Sequence, residues 1–378
     1  MESADPSLRG RLKAFHARHE EKTMLLFFVG GFLFDALMLS RIDEPLMLVQ
    51  QGGYLFLCGL LLAITQRTEL KGLDRPQALI KVWRFFPHLI HFMLGTLLNA
   101  YTIFYFQSAS GFTAVGFIVL ICALLALNEL PRFHKLGPVV LHGLYSICLT
   151  SYLAYLFPVL IGQIRPWMFY LSVAVALAPL TLYVALLWRW SGSLGHVARH
   201  AAIPIFGVQL AFVFLYAFRL APPVPLATKE MGIYHRVERA RDGRHLFHQT
   251  RPGWKFWLQG DQEFLERPGD KVYCFARVFA PARFHDRVDV VWFHDDPRKG
   301  WGQYYRLPLS VSASGVRGFA IDAFLTEPPR GNWRVEIQSE DGRTIGQLHF
   351  RVTPDPGTEP MELEETVSSS EAPPRPVK

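Results

Sequence analysis

Trp167 to Trp188 reads WMFYLSVAVALAPLTLYVALLW, a stretch without one charged side chain. A run of about 20 apolar residues crosses the hydrocarbon core of a bilayer as a helix. Working outward, the same reading applies to Gly137–Ile161 and Gly111–Leu130 before it and to Ala202–Leu220 after it. It extends back to Thr23–Ser40, Leu46–Gln66 and Phe85–Gln107. The expectation is a bundle of about seven transmembrane helices over residues 23–220, preceded by a basic arm, 1–22. Short connections make sequence neighbours antiparallel.

Lys and Arg placement orients the bundle. The arm carries Arg9, Arg11, Lys13, Arg18 and Lys22. The connection after Gln66 carries Arg67, Lys71, Arg75, Lys81 and Arg84, and later ones carry Arg132, Lys135, Arg189 and Arg199. The alternate connections offer only Arg41, Arg165 and Arg219. The rich segments share one side, which predicts a cytoplasmic N-terminus. An odd number of crossings then delivers the C-terminal block to the periplasm of a bacterial inner membrane. No small-x-small cleavage site follows the first apolar run, so that run is expected to stay as an anchor.

The 378 residues are 50% hydrophobic and 19% charged with a formal net charge of +7. The positive excess sits in loops, as topology and headgroup contact require. Nucleic acid needs a concentrated basic face, so it is not an expected partner. Cys58, Cys122 and Cys148 lie in apolar runs and Cys274 stands apart, which predicts no disulfide framework.

After Ala221-Pro222-Pro223-Val224-Pro225 the period changes to two. Residues 221–232 read as a linker and 233–353 as a β domain. Strands are expected at Lys271–Ala280, Arg287–His294, Gln303–Ser312, Arg317–Leu325, Trp333–Ser339 and Gln347–Val352. Trp333, Val335 and Ile337 face one way and Arg334, Glu336 and Gln338 the other, before Asp341-Gly342 turns the chain back. Strands of this spacing without helices predict an all-β, immunoglobulin-like antiparallel sandwich. Residues 354–378 are rich in Pro, Glu and Ser and predict a disordered tail.

Val272-Tyr273-Cys274-Phe275, Phe284-His285-Asp286, Val291-Trp292-Phe293-His294, Gly331-Asn332-Trp333-Arg334-Val335-Glu336, Asp341-Gly342-Arg343 and Ile345-Gly346 together resemble a bacterial module, the domain of unknown function 2914. Asn128-Glu129-Leu130-Pro131-Arg132-Phe133-His134 is similar to the multi-span region that accompanies that module. The resemblance implies a membrane-anchored extracytoplasmic β domain. It implies no activity, ligand or catalytic residue.

Two sets of residues carry chemistry. Arg283, His285, Trp292, His294 and Arg306 combine rings with forked polar groups near strand ends, as a glycan- or peptide-binding surface does. Trp301, Tyr304 and Tyr305 accompany them. The competing reading buries Trp292 in the core and leaves the charges solvated. Within the spans, Asp35, His88, His91, Asn99 and His142 are costly polar groups, and such groups mark functional sites by default. They suit a proton relay or a metal or haem site, and with it an intramembrane enzyme or transporter, if their stripes meet, and helix packing if they do not. Copies of Phe-His-Asp at opposite ends of one strand cannot share an ion, and no nucleophile elbow or phosphate loop is present. No catalytic residue, metal or cofactor is therefore expected. The expected partners are the lipid bilayer and a periplasmic protein or glycan.

Overall fold

The computed structural model describes residues 45–72, 83, 85–108, 119, 137–221, 225–241, 244–250, 254, 258, 260–281, 284–312, 318–357 and 361–368. The chain forms two compact units. One holds the helices; the other gathers Pro158–Pro166 with Pro222–Lys378 and Gln107–Ala114.

The helices are α1 (Pro45–Lys71), α2 (Phe86–Ser108), α3 (Pro138–Ile161), α4 (Pro166–Ser191), the single turn α5 (Leu194–Val197) and α6 (Ile203–Ala217), with a π-turn at Ala198–Ala202 joining the last two. Among the described residues, five helical stretches are long and apolar enough to cross a membrane, counting Leu194–Ala217 as one. The expected spans Thr23–Ser40 and Gly111–Leu130, and with them Asp35, lie outside the described residues apart from Val119. Gly192, at φ +64, stops α4 in a conformation that disfavours a side chain, and its N–H caps the Trp188 carbonyl at 2.9 Å.

Small residues and aromatic pairs hold the bundle. A Cβ on Gly59 would lie 2.5 Å from the Tyr145 hydroxyl, so a side chain there would have to displace the tip of that ring, which reaches α1 from α3. Tyr101 stacks on Tyr155 at 5.7 Å between α2 and α3, and Phe169 on Tyr216 at 3.8 Å between α4 and α6. What the bundle leaves outside is apolar: Phe56, Leu60, Phe92, Leu182, Leu210 and Phe214 are all exposed.

The β unit contains β1 (Ala227–Tyr234), β2 (Arg236–Arg239), β3 (His245–Gln249), β4 (Glu263–Glu266), β5 (Lys271–Phe279), β6 (His285–Asp296), β7 (Gly300–Ser312), β8 (Phe319–Thr326), β9 (Gly331–Ser339), β10 (Thr344–Pro354) and β11 (Glu364–Val367). Sheets β1-β5-β8 and β4-β10-β9-β6-β7 contribute to one core, and β11-β3-β2 forms a third, small sheet. Ile233, Val272, Cys274 and Ile321 from the first layer meet Val290, Trp292, Trp333, Val335 and Phe350 from the second. Burial pushes the Cys274 thiol up to about 12.

Three expectations are corrected. Residues 227–232 are not linker but most of β1, whose polar first half conceals the strand until β5 pairs with it. The sandwich is not wholly antiparallel, because β4 joins β10 in parallel. The tail expected to be disordered contributes β11, which pairs with β3, and Ser368 donates to Glu230 at 2.7 Å. A short polar strand carries no apolar alternation, so composition alone misses it.

Candidate functional site

The β6–β7 hairpin turns on Asp296, whose Oδ1 accepts the Arg298 and Lys299 amides at 2.8 and 3.0 Å. Those two N–H groups hold its carboxyl below the usual carboxylate range. Pairing then proceeds Asp295↔Trp301, His294↔Gly302 and Phe293↔Gln303, and resumes at Trp292↔Tyr305. Tyr304 is the additional residue of a β-bulge, a device that re-aims a side chain at a sheet edge. β7 is the edge strand, and Trp301, Tyr304 and Tyr305 are 45, 52 and 44% exposed.

On the core-facing side of the sheet, Tyr304 sits edge-on to Trp333 at 5.0 Å and His294 lies 4.7 Å from the same ring. Trp333 is fixed by its Nε1–H to the Pro329 carbonyl at 2.8 Å. His294 Nε2 lies 3.1 Å from the Arg330 carbonyl. The rings therefore form a preset cluster at the end of the sandwich rather than loose side chains.

The outer face is ordered in rows. Gln303, Phe293, Arg334 and His349 oppose one another across β7, β6, β9 and β10; the next row is Arg306, Val291, Glu336 and Gln347. Arg334 lies over the Phe293 ring at 4.5 Å and over Trp301 at 5.3 Å, with its Nε 2.8 Å from Glu336. Glu336 also accepts from Gln338 at 2.8 Å and Thr344 at 3.2 Å, and Arg306 donates to Gln338 at 2.8 Å. His349, 6.1 Å from Trp301, has its pKa lowered by partial burial and then by the Arg334 charge. The result is a flat, polar, tethered surface bordered by rings. Such a surface can stack a sugar or aromatic side chain and orient its hydroxyls or amides.

The structure does not gather the five residues expected from the sequence. Arg283 lies outside the described residues. His285 is exposed at the far end of β6 from His294. Trp292 is fully buried, 6.0 Å from Phe350, and cannot line a contact surface. His294 joins the Tyr304–Trp333 cluster, while Arg306 belongs to the outer face. Arg334, Glu336 and His349 are the residues sequence reasoning passed over. Their period-two spacing reads as a solvated face, and only the strand order brings them beside Trp301.

The intramembrane candidates separate as well. His142 Nδ1 lies 2.7 Å from the His200 carbonyl and Nε2 lies 2.9 Å from the Tyr183 hydroxyl. A carbonyl only accepts, so Nδ1 carries the proton and Nε2 accepts from Tyr183. The cause is local: Pro204, four residues after His200, has no N–H to offer that carbonyl. His142 supplies the missing donor, and both its ring nitrogens are committed. Gln209 donates to Ser146 and Thr150 at 2.8 and 2.6 Å, continuing the same polar seam between α3 and α6. His88, His91 and Asn99 lie on α2, which packs through Tyr101 and Tyr105 against Tyr155 and Ser151 on another face of α3. The hydrogen bonds of His142 lie toward α4 and the turn before α6, and not on the face of α3 that Tyr105 meets.

Apolar helices followed by a β-rich domain with an aromatic sheet end define the class. Residues 285–352 match the family described as Protein of unknown function (DUF2914). No curated protein matches the chain. Among solved structures, an immunoglobulin-like protein from Pseudomonas aeruginosa is 14% identical, with 33% of this chain and 97% of that one covered, at a TM-score of 0.20. The alkylpurine DNA glycosylase AlkC of Pseudomonas fluorescens, bound to DNA containing an abasic site analog, is 10% identical with 71% and 67% covered, at a TM-score of 0.19. Scores this low carry no argument.

Proposed function

We propose that this is a multi-pass protein of a bacterial inner membrane that displays its immunoglobulin-like sandwich in the periplasm. There it binds an envelope component, a glycan or a partner protein, through the Trp301 end of the sheet. The observation that carries the binding role is the exposed set Trp301, Tyr304 and Tyr305, buttressed by Trp333 and Arg334. Exposed rings held in fixed positions lose little entropy on binding, which is why they serve as anchors.

The membrane reading rests on helices whose outer surfaces are apolar. The compartment reading rests on Lys and Arg placement and on parity. Gly162–Arg165 belongs to the β unit: the Gly162 carbonyl accepts from His285 N at 2.9 Å and Ile164 N donates to Asp286 at 3.1 Å. Two crossings, α4 and the α5–α6 stretch, separate that loop from β1, and an even number returns the chain to the side it left.

The test combines two measurements. Alkaline phosphatase joined to the C-terminal end should be active, and joined at the N-terminus inactive. In-cell photo-crosslinking from position 301 should yield an adduct that Tyr304→Ala and Tyr305→Ala together abolish. Loss of the adduct only in unfolded variants, or no adduct at all, overturns the binding role.

A further inference from the structure

Between α1 and α4 a groove of about 370 Å³ opens on the apolar surface of the bundle, lined by Phe56, Gly59, Leu60, Pro179, Leu182 and Leu186 with Tyr145 and Tyr183 among the other residues. Its origin is compositional. Gly59 has no side chain, so the Tyr145 hydroxyl floors the groove there, and Pro179 adds only a compact ring, while Phe56, Leu60, Leu182 and Leu186 line it on either side. The volume falls within the ~300–1,000 Å³ of small-ligand sites.

The lining ends at Leu62 on α1 and Leu186 on α4, and helical spacing places Arg67 and Trp190 beyond it, toward one end of the bundle. Phe56, Leu60 and Arg67 follow one stripe of α1, and Leu182, Leu186 and Trp190 one stripe of α4. The Arg67 guanidinium lies over the Trp190 ring at 5.9 Å, joining the two stripes. From Phe56 to Arg67 the helix rises about 16 Å. That is close to half of a ~30 Å hydrocarbon core, the depth of one leaflet. At the Arg67 end the described residues carry Arg67, Lys71, Arg189 and Arg199 against Glu69. An apolar groove with cations beyond one end, beside a tryptophan that Arg67 covers, is complementary to a lipid with an anionic headgroup.

We infer that this groove binds an anionic phospholipid, one acyl chain lying between α1 and α4 and the phosphate meeting Arg67 and Arg189. The lipid fills a slot that the packed helices leave, and the headgroup balances cations that α1 and α4 bring to one interface. Leu60 and Leu182 are 45 and 63% exposed, so changing them alters the slot and not the interior of the bundle.

Native mass spectrometry of the delipidated full-length protein, titrated with phosphatidylglycerol or phosphatidylcholine, tests this. Each cation near the headgroup strengthens anionic-lipid binding roughly fivefold. The first equivalent of phosphatidylglycerol should therefore bind at least about fivefold tighter than phosphatidylcholine. Arg67→Gln with Arg189→Gln should remove that preference and leave phosphatidylcholine binding unchanged. Leu182→Trp, or Leu60→Trp should the first not fold, should eliminate the first equivalent of either lipid. Equal binding of the two lipids by the unaltered protein overturns the assignment. So does a preference that survives the double arginine change, or a first equivalent that survives a filled slot.

Discussion

The Arg165 guanidinium stands 3.1 Å from the carboxylate of Asp286, a side chain only 3% exposed. The same carboxylate accepts the Ile164 amide at 3.1 Å and the Arg287 amide at 2.8 Å, and Arg165 also pairs with Glu340. The partners are unequal. Asp286 is buried and holds several donors, whereas a third of Arg165 is open to water and screening.

Asp286→Ala should accordingly destabilise the β unit by roughly 2–3 kcal/mol, because it removes the acceptor of two partly buried donors as well as the pair. Arg165→Met should cost no more than about 1 kcal/mol. Peptide-resolved maleimide labelling of Cys274, buried in the folded core, measures both as shifts of the urea midpoint.

Trp333 and Trp301 should respond in opposite ways. Trp333→Ala empties a site with no solvent exposure and should cost about 3–5 kcal/mol. Trp301→Ala should change stability by less than about 1 kcal/mol, the scale of its contact with Arg334. It should nonetheless weaken crosslinking of the sandwich to its partner. A large stability loss at Trp301 would make it a structural residue and not a contact.

His235 is an acid-sensitive point. It stacks on Phe264 at 4.0 Å, and burial pushes its pKa down to about 4 despite the neighbouring Asp270 and Asp355. Asp261 and Asp270, 3.8 and 3.9 Å away, already accept from Thr250 and the Arg267 amide. The sign follows from linkage: the unfolded chain takes up a proton near pH 6.5 and the folded chain near pH 4. Stability is therefore full above about pH 6.5 and declines as pH falls toward 4, by up to about 3 kcal/mol. His349, also depressed, contributes in the same direction. Urea unfolding between pH 8 and 4.5 checks this, and His235→Gln should flatten the slope.

His142→Phe should keep a planar ring at the site and remove both polar contacts. The His200 carbonyl then loses its donor and the Tyr183 hydroxyl its acceptor, for a loss of roughly 2–4 kcal/mol in detergent. Differential scanning fluorimetry in detergent reads it. An unchanged melting temperature would show that His142 does not carry the Pro204 junction.

The apolar helices and the longer strands are legible because each repeats one period many times. Trp333, Val335 and Ile337 alternate cleanly, and all three are buried. Arg236–Arg239 and Glu364–Val367 escape because four residues with a single valine among three polar ones show no period; β3 between them supplies the pairing. The surface around Trp301 escapes for another reason. Phe293, Arg334 and His349 are far apart in sequence and become a row only through the order β6-β9-β10. Likewise, His142 reads as a ligand in isolation and as a helix repair once Pro204 is placed beside His200.

The family segment 285–352 begins at β6, whereas Ile233, Phe264, Val272, Cys274 and Val278 of the shared core precede it. A recombinant fragment trimmed to those limits would lose β1 and β5 and leave β8 alone of the first layer to cover Trp292 and Trp333, and such a product should aggregate. Soluble expression of the module therefore calls for cutting sites before Leu226 and after Ser368.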